Sequence, residues 1–314
     1  MNLTKRLDYI DIFKGICILL VVLGHCVSGI PHFYIYAFHV PLFFMISGYL
    51  FNPDSNCNFF GFLKKRTTSL VVPLILWTFI AVPLTWVLPN YFPTERLLDL
   101  YLPPGLWFIL TLFLCETIAY PIFKLFRTKN VWLACILISI VAYIQHLNPD
   151  RLPYNIDNTP ICLIYYLSGG VFGWLSVKYS HITKLPIICS LGIIIVPIIP
   201  SYKYGDSLDL FSNHIPEPYL LFTTIPLAVF VAMFSLSYRL NSRVAFLTWL
   251  GKNTLLILIL HIIAIEISNT YIQNLFENKI LYKIVQQMII WSFVFIFTIL
   301  INKFLPVLGG KRNK

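Results

Sequence analysis

Charged residues are scarce in this chain of 314 residues: Asp, Glu, Lys and Arg make up 11% of it, whereas 58% is hydrophobic. A soluble domain normally carries about 25% charged residues, so the composition argues against a soluble protein and predicts a polytopic membrane protein. The formal net charge is +10. In a soluble protein this excess would suggest a nucleic-acid partner. In a membrane protein it is expected from basic cytoplasmic loops, so we expect no nucleic-acid partner.

Several sequence motifs are also missing. There is no Walker loop with its GK[ST], no HExxH and no GxSxG, which argues against a nucleotide-driven pump, a zinc hydrolase and a nucleophile-elbow hydrolase. The seven cysteines show no paired spacing and form no cluster with histidine. We therefore expect neither a disulfide framework nor a metal site. A cysteine acyl carrier is left open as a minor alternative.

Long apolar segments are what the sequence has instead. A transmembrane helix needs about 20 mostly apolar residues, and the sequence offers ten candidate segments. The predicted fold is therefore all-α, a bundle of about ten transmembrane helices forming a single integral membrane domain over residues 1–314. The ten segments lie near residues 10–30, 33–51, 68–88, 104–126, 131–146, 160–177, 185–199, 219–238, 253–273 and 284–304.

The basic residues give these segments an orientation. With the N-terminus in the cytoplasm, 17 of the 23 Lys and Arg fall in inner segments, 5 in outer segments and Lys14 inside the first span. Because cytoplasmic loops carry the excess of Lys and Arg, both termini are predicted to be cytoplasmic. The first apolar stretch has no small-residue cleavage site after it and is too long for a signal peptide, so we interpret it as a retained span.

The first span contains Lys14 and His25, eleven positions apart. On an α-helix they lie about 20° apart around the axis and about 16 Å apart along it, so they share one face. Ionisable groups inside a membrane span are costly and indicate a functional site. A cation near one end and an imidazole near the other would suit a long anionic ligand whose reactive end must meet a base. The alternative is that Lys14 extends to the headgroups or pairs with Asp11.

Other polar residues lie within the predicted spans. His39 on the second span is expected at a depth similar to that of His25, since the connection between the two spans is short. Each imidazole could instead only satisfy a backbone carbonyl. Glu116 in the fourth span could orient an imidazole or the acceptor, or only join two helices by a hydrogen bond. The roles of His261 and Glu266 in the ninth span stay open.

Several stretches of the sequence resemble the acyltransferase-3 family of integral membrane O-acyltransferases. The run from Arg6 to His25 is similar to the opening span of that family, and the run from Phe38 to Phe51 is similar to its second span. Three further stretches are similar in order, so the resemblance extends over almost the whole chain. They are Phe62-Leu-Lys-Lys-Arg66 leading to Pro73, Leu106-Trp-Phe-Ile-Leu110, and Leu250-Gly-Lys-Asn-Thr-Leu255 leading to His261.

This resemblance implies a ten-helix enzyme that transfers an acyl group from cytoplasmic acyl-CoA to a hydroxyl of a cell-surface glycan or of its lipid-linked precursor. It also implies that Lys14 corresponds to the family's basic residue and His25 to its essential histidine. The family more often has Arg at the first of these positions, and Arg binds phosphate with two parallel donors where Lys offers a point charge. The chain ends about ten residues after the tenth segment, so it resembles members without an added soluble domain.

The sequence therefore predicts an O-acyltransferase of the bacterial inner membrane that uses acetyl-CoA as acyl donor and no metal. His25 is the predicted general base, with His39 and Glu116 as further catalytic candidates. Donor phosphates are expected at Lys14 and at the basic cluster Lys64, Lys65 and Arg66. Direct transfer and a covalent acyl-histidine both stay open. The alternatives are a transporter or flippase of a glycan or small solute, and a non-catalytic partner in a polysaccharide complex.

Overall fold

A computed structural model describes residues 8–52, 58–88, 91, 102–147, 152–179, 184–240 and 244–311, with the backbone alone at 126–129 and 132. Several basic residues of the orientation count lie outside the described residues: Lys5, Arg6, Arg96, Arg151, Arg243, Arg312 and Lys314. The described part is helical, and its one β-type pairing is an isolated bridge between Asp209 and His214.

The described residues form the following helices. In chain order they are α1 Asp8–Gly24, α2 Ile30–Tyr36, α3 His39–Tyr49, α4 Phe59–Arg66, α5 Val72–Val87, α6 Leu106–Leu147, α7 Thr159–Lys178, α8 Ile187–Ile195, α9 Ile198–Tyr204, α10 Tyr219–Leu240, α11 Ala245–Lys252, α12 Thr254–Tyr271 and α13 Lys279–Phe304. A short π-helix lies at Thr67–Val71. Short 3₁₀-helices lie at Pro153–Asn158, Gln273–Leu275 and Pro306–Gly309.

Eight helical segments in the described part of the chain are long and apolar enough to cross a membrane. The prediction of an all-α polytopic protein is therefore confirmed. Two of the ten predicted segments fall below this length: α1 has 17 residues, and the fifth segment corresponds to the shorter apolar stretch Leu133–Leu147. The side of the membrane on which each terminus lies stays a prediction.

Two boundaries differ from the sequence-based expectation. The fourth and fifth predicted segments lie on one uninterrupted helix, α6, of 42 residues, because the stretch between them contains neither Gly nor Pro to end it. Conversely, the second predicted span is divided into α2 and α3. Pro41 cannot donate a backbone hydrogen bond and its ring conflicts with the carbonyl four residues earlier, so a continuous helix is disfavoured at residue 37.

The chain divides into two compact units. Unit 1 comprises Met1–Ser55, Cys115–Asp150 and Asn158–Thr254, and unit 2 comprises Asn56–Leu114, Arg151–Asp157 and Leu255–Lys314. Unit 1 contains Lys14, His25, His39 and Glu116, and unit 2 contains the Lys64–Arg66 cluster and His261. Whether residues 1–314 act as a single domain stays a prediction.

Glycines allow the helices of unit 1 to pack closely. A side chain at Gly15 of α1 would collide with the backbone of α11 at Leu247, and a side chain at Gly251 of α11 would collide with the backbone of α1 at Asp11. Small residues let helix backbones approach in this way in membrane proteins. The contact fixes α1, which carries Lys14, against α11.

A second pair of glycines joins α3 and α7. Gly48 of α3 lies against the Tyr166 carbonyl, and Gly169 of α7 lies against the Met45 carbonyl. The phenyl rings of Phe13, Phe230 and Phe234 then fill the space around α1 and α10 with centroid separations of 5.3 to 6.4 Å. Unit 1 therefore holds α1 and α3, and with them His25 and His39, on a tightly packed frame.

In unit 2, α5 is held by the turn Pro306–Gly309. The Trp77 indole donates a hydrogen bond of 3.0 Å to the Leu308 carbonyl, and it is 4% exposed. At the other end of α5 the Tyr271 hydroxyl of α12 donates to the Val87 carbonyl at 2.8 Å. These bonds satisfy polar groups in an apolar setting, where an unmade hydrogen bond is costly.

Candidate active site

His25 follows the last residue of α1, and the helical hydrogen bonding continues through it. Its backbone N–H donates to the Val21 carbonyl at 3.2 Å. The helical geometry that places Lys14 and His25 about 20° apart around the axis therefore applies. Lys14 is half-buried, and the His25 side chain is exposed. An exposed imidazole at the end of a packed, apolar helix is accessible to a substrate.

The partner of the His25 ring is a tyrosine. The Tyr36 hydroxyl of α2 lies 3.3 Å from His25 Nδ1, with ring centroids 6.0 Å apart. Tyr36 is itself stacked on the His32 ring at 3.9 Å. His32 Nδ1 lies 3.1 Å from the Gly24 carbonyl and so binds the end of α1. The rings of His32 and Tyr36 in α2 therefore pack against the end of the helix that carries His25.

His39 lies at the start of α3 and is buried, with 2% exposure. Its Nδ1 is 2.9 Å from the Ile35 carbonyl, so this nitrogen donates to the preceding helix. The His39 ring also packs against Tyr36 with centroids 4.6 Å apart. The structure thus brings both His25 and His39 into contact with Tyr36. It shows for His39 the bond to a backbone carbonyl that the sequence left as an alternative.

Sequence reasoning missed Tyr36, the partner of the His25 ring. Its contact with His25 depends on how α2 packs against the end of α1, and no local spacing signals that contact.

Glu116 lies in the part of α6 that belongs to unit 1, with 2% exposure. Its neighbour Cys115 is fully buried, and the Cys115 thiol lies 3.8 Å from the Thr159 carbonyl at the start of α7. Glu116 is therefore buried next to the residue through which α6 contacts α7. Its catalytic role stays a prediction.

The basic cluster forms the last turn of α4. Lys64 and Lys65 are exposed, and Arg66 is half-buried with its guanidinium 5.5 Å from the Phe62 ring centroid. Cations are favourable at this end of a helix because of the helix dipole. Two exposed ammonium groups beside a fixed guanidinium could bind an anionic ligand.

The two residues whose roles the sequence left open lie in unit 2. His261 is fully buried, and its Nδ1 lies 2.8 Å from the Ile257 carbonyl one turn earlier on α12. Glu266 is half-buried and hydrogen-bonded to Asn269. Asn269 Oδ1 also accepts from the Tyr282 hydroxyl at 2.7 Å and from the Gln286 amide at 3.0 Å. These groups join α12 to α13.

Among the described residues no group of three or more His, Cys, Asp or Glu side chains could hold a metal ion. The described groups at the end of α1 are the His25 imidazole and the Tyr36 phenol. Together these groups can accept, hold and return a proton.

A family model described as an acyltransferase domain matches residues 7–302. The chain belongs to the acyltransferase-3 family. The matched range contains Lys14, His25, His39, Glu116 and the Lys64–Arg66 cluster. The sequence-based assignment to this family is thereby confirmed, and the protein is a multi-pass membrane member of it.

Two curated relatives are similar to this acyltransferase-3 protein. One is the nodulation protein NolL of Sinorhizobium fredii, 31% identical over 151 residues, which is 42% of this chain and 40% of the relative. The other is the nodulation protein NolL of Mesorhizobium japonicum, 28% identical over 218 residues, which is 58% of this chain and 55% of the relative. The chain therefore spans about half the length of the curated relatives that it matches. No solved structure matches it.

Proposed function

We propose that this protein is an integral membrane O-acyltransferase, and that it moves an acetyl group from cytoplasmic acetyl-CoA to a hydroxyl of a cell-surface polysaccharide or of its lipid-linked precursor. The proposal includes a location in the inner membrane of a bacterium. One observation carries it: in a member of an acyltransferase family, an exposed His25 lies at the end of the packed helix that carries Lys14.

In this proposal the donor binds through its phosphates. Lys14 is half-buried on α1, and Lys64, Lys65 and Arg66 offer two exposed ammonium groups and a guanidinium at the end of α4. Acetyl-CoA is long and anionic at its nucleotide end. Cationic side chains of this kind hold phosphates by charge-assisted hydrogen bonds.

His25 acts as general base in the transfer. Its neutral ring nitrogen takes the proton of the acceptor hydroxyl as the oxygen attacks the thioester carbonyl. A C–O bond forms, the C–S bond breaks, and the thiolate of CoA leaves and receives a proton. An unperturbed imidazole titrates near pH 6.5, which suits this role. A covalent acyl-histidine would give the same products in two steps.

The experiment is acetyl transfer in membrane vesicles that contain the wild-type protein or His25→Ala, with labelled acetyl-CoA and mass spectrometry of the glycan fraction. The wild type should add about 42 Da per acetyl group, the mass gain of replacing a hydroxyl hydrogen. His25→Ala should lose transfer while its amount in the membrane is unchanged. His146→Ala, at the far end of α6, is the matched control and should retain transfer.

Two results would contradict the proposal. Turnover retained by His25→Ala would show that His25 is not the general base. Movement of a glycan or solute across the vesicle membrane without consumption of acetyl-CoA would show a transporter instead. An acyl group trapped on His25 would keep the function and select the two-step route.

A further inference from the structure

The ring of His32 is held in one tautomer by the end of α1. Its Nδ1 lies 3.1 Å from the Gly24 carbonyl. Because a carbonyl oxygen only accepts, Nδ1 carries a proton and donates it to this bond. A neutral imidazole has one N–H and one lone pair. In the neutral His32 ring the lone pair is therefore on Nε2, which can accept a hydrogen bond from a ligand.

The Nε2 atom of His32 is available for such a bond. Within the part of the chain that the structure describes, the bond to Gly24 is the one hydrogen bond of the His32 side chain. The ring is half-buried, its Nε2 is not enclosed by protein, and residues 27–31 just before it are all exposed. A ligand can therefore approach this nitrogen from the side of the exposed connection.

Stacking fixes the plane of the His32 ring and places it near His25. The His32 ring stacks on the Tyr36 ring with centroids 3.9 Å apart and an angle of 29° between the planes. The Tyr36 hydroxyl lies 3.3 Å from His25 Nδ1, and the Tyr36 and His25 centroids are 6.0 Å apart. Both imidazoles therefore contact one tyrosine, and a ligand the size of one or two sugar residues could contact both.

The connection between α1 and α2 explains why His32 lies at this place. Gly29 has a φ of 67°, in the left-handed region that favours glycine, and the chain turns back there. The Phe33 backbone N–H donates to the Gly29 carbonyl at 3.0 Å and closes the first turn of α2. His32 is part of this first turn, so its ring reaches the last residue of α1.

We propose that His32 is a binding residue for the acceptor, and that its Nε2 accepts a hydrogen bond from an acceptor hydroxyl that is not itself acylated. This inference rests on the proposed function, because it assigns part of the acceptor to the region of the proposed base. The ligand class is a polyol such as a sugar residue, since one hydroxyl meets His32 while another meets His25. With both termini cytoplasmic, as the basic residues predict, this end of α1 is the outer one.

Two other roles use the same ring and must be separated from this one. A histidine near the end of a helix can bond the last carbonyls and act only as a cap. The pantetheine arm of acetyl-CoA also offers hydrogen-bond donors, because it contains amide N–H groups. The first role needs Nδ1 alone, and the second would bind the donor instead of the acceptor.

The experiment uses two amide variants that each keep one of the two nitrogen positions. The amide nitrogen of Asn is as many bonds from Cα as Nδ1, so His32→Asn keeps a donor for the Gly24 carbonyl and loses Nε2. The amide of Gln reaches one atom further, to the position of Nε2, so His32→Gln keeps an acceptor there and loses the bond to Gly24. His146→Asn, at the far end of α6, is the control.

Initial rates of purified protein in detergent are measured against the concentration of the glycan fraction extracted from the same membranes and, separately, of acetyl-CoA. In His32→Asn the KM for the glycan fraction should rise about three- to tenfold, the scale of one neutral hydrogen bond. Its kcat and its KM for acetyl-CoA should stay close to the wild-type values. His32→Gln should regain much of the glycan KM but unfold at a lower temperature, and the control should match the wild type.

Two results would overturn the assignment. A His32→Asn protein with an unchanged KM for the glycan fraction would show that His32 is only a helix cap. A rise in the KM for acetyl-CoA alone would assign Nε2 to the donor. Size-exclusion elution and the unfolding temperature report whether each variant is folded.

Binding measured without acetyl-CoA separates this inference from the proposed function. A ligand that binds the folded state raises the unfolding temperature, so the glycan fraction at several times its KM should stabilise the wild type more than His32→Asn. If it does so but no acetyl group is transferred, the acceptor site stands and the proposed function is wrong. If transfer is normal and both proteins respond equally, or the wild type is not stabilised, the proposed function stands and the acceptor site at His32 is wrong.

Discussion

The region around His25 in unit 1 and the region around His261 in unit 2 both combine a histidine with apolar helices, but the two rings are placed differently. His261 is fully buried and its Nδ1 bonds the carbonyl of its own helix at 2.8 Å. His25 is exposed, and its Nδ1 lies 3.3 Å from a tyrosine hydroxyl. Within unit 1, His39 follows the pattern of His261, since it is buried and bonds the Ile35 carbonyl at 2.9 Å.

This difference separates two uses of histidine in a membrane protein. A ring that donates to the carbonyl four residues earlier satisfies its own polar atom and stabilises the helix. A ring that is exposed and oriented by a side chain can exchange a proton with a ligand. On this basis His25 is the stronger candidate for the base, and His39 and His261 are stronger candidates for structural roles.

The largest expected effect is the contrast between His25→Ala and His261→Ala. His25→Ala should lower turnover by at least about 100-fold, the scale of general-base catalysis, with little change in unfolding temperature. His261→Ala should do the reverse. It removes a fully buried ring and its hydrogen bond to the Ile257 carbonyl and should lower the free energy of unfolding by about 1–3 kcal/mol, with turnover per folded molecule kept within a few-fold.

Turnover and unfolding temperature, measured on the same purified samples, check this contrast. If the His261→Ala protein stays folded but loses turnover as His25→Ala does, the contrast between the two histidines is wrong. In that case the buried ring would belong to the chemistry.

The second prediction concerns the polar network of unit 2. Asn269→Ala removes the acceptor of the Tyr282 hydroxyl and of the Gln286 amide. Because Gln286 is 1% exposed and Tyr282 is 6% exposed, water cannot easily replace the lost bonds, and the free energy of unfolding should fall by about 1–3 kcal/mol. Thermal unfolding in detergent measures this. Asn274→Ala, at an exposed position nearby in the sequence, is the control. Equal stability of the two variants would contradict the network's structural role.

The third prediction sharpens the interpretation of the first helix. Lys14→Ala should raise the KM for acetyl-CoA about tenfold, since a single charge-assisted contact to phosphate is worth roughly that factor. Lys14→Arg should keep the KM near that of the wild type, because it keeps the charge. Initial rates against acetyl-CoA concentration measure both, with Lys252→Ala at an exposed position of α11 as control. An unchanged KM in Lys14→Ala would leave Lys14 as a headgroup contact only.

The smallest expected effect is at an exposed pair near the start of α10. The Tyr219 backbone N–H at 2.8 Å, and then His146 at 3.3 Å, hold the pKa of Glu217 below its ordinary value of 4.5. A carboxyl whose pKa is lower in the folded protein than in the unfolded chain stabilises the fold at pH values above its unfolded-state pKa. This stabilisation is lost as the pH falls through its folded-state pKa. The unfolding temperature of the wild type should therefore decrease slightly more than that of Glu217→Gln as the pH is taken below 4.5. Parallel curves would contradict this.

The sequence predicted the helical segments well because membrane spans carry a strong compositional signal. Long apolar runs such as those in α10 and α13 need no tertiary information to be recognised. The joining of two predicted segments into α6, and the division of another between Tyr36 and His39, were not predicted. Both depend on local backbone preferences, which a hydropathy pattern does not contain.

The candidate site was predictable only in part. Lys14 and His25 are on one helix, so their shared face follows from the helical repeat alone. The contact of His25 with Tyr36 depends on how α2 turns back after Gly29, whose φ of 67° is in the left-handed region that favours glycine.

The sequence by itself determined that this chain is a helical membrane protein of the acyltransferase-3 family and that its first helix carries a cation and an imidazole on one face. Composition and short-range periodicity are sufficient for the membrane class and for the shared face, because the membrane selects apolar segments and the helix fixes angular spacing; the family follows from the resemblance of several stretches of the sequence. Only the tertiary structure decided which histidine is exposed and which side chains surround it. Burial and contacts between distant segments arise from packing, and no local pattern encodes them.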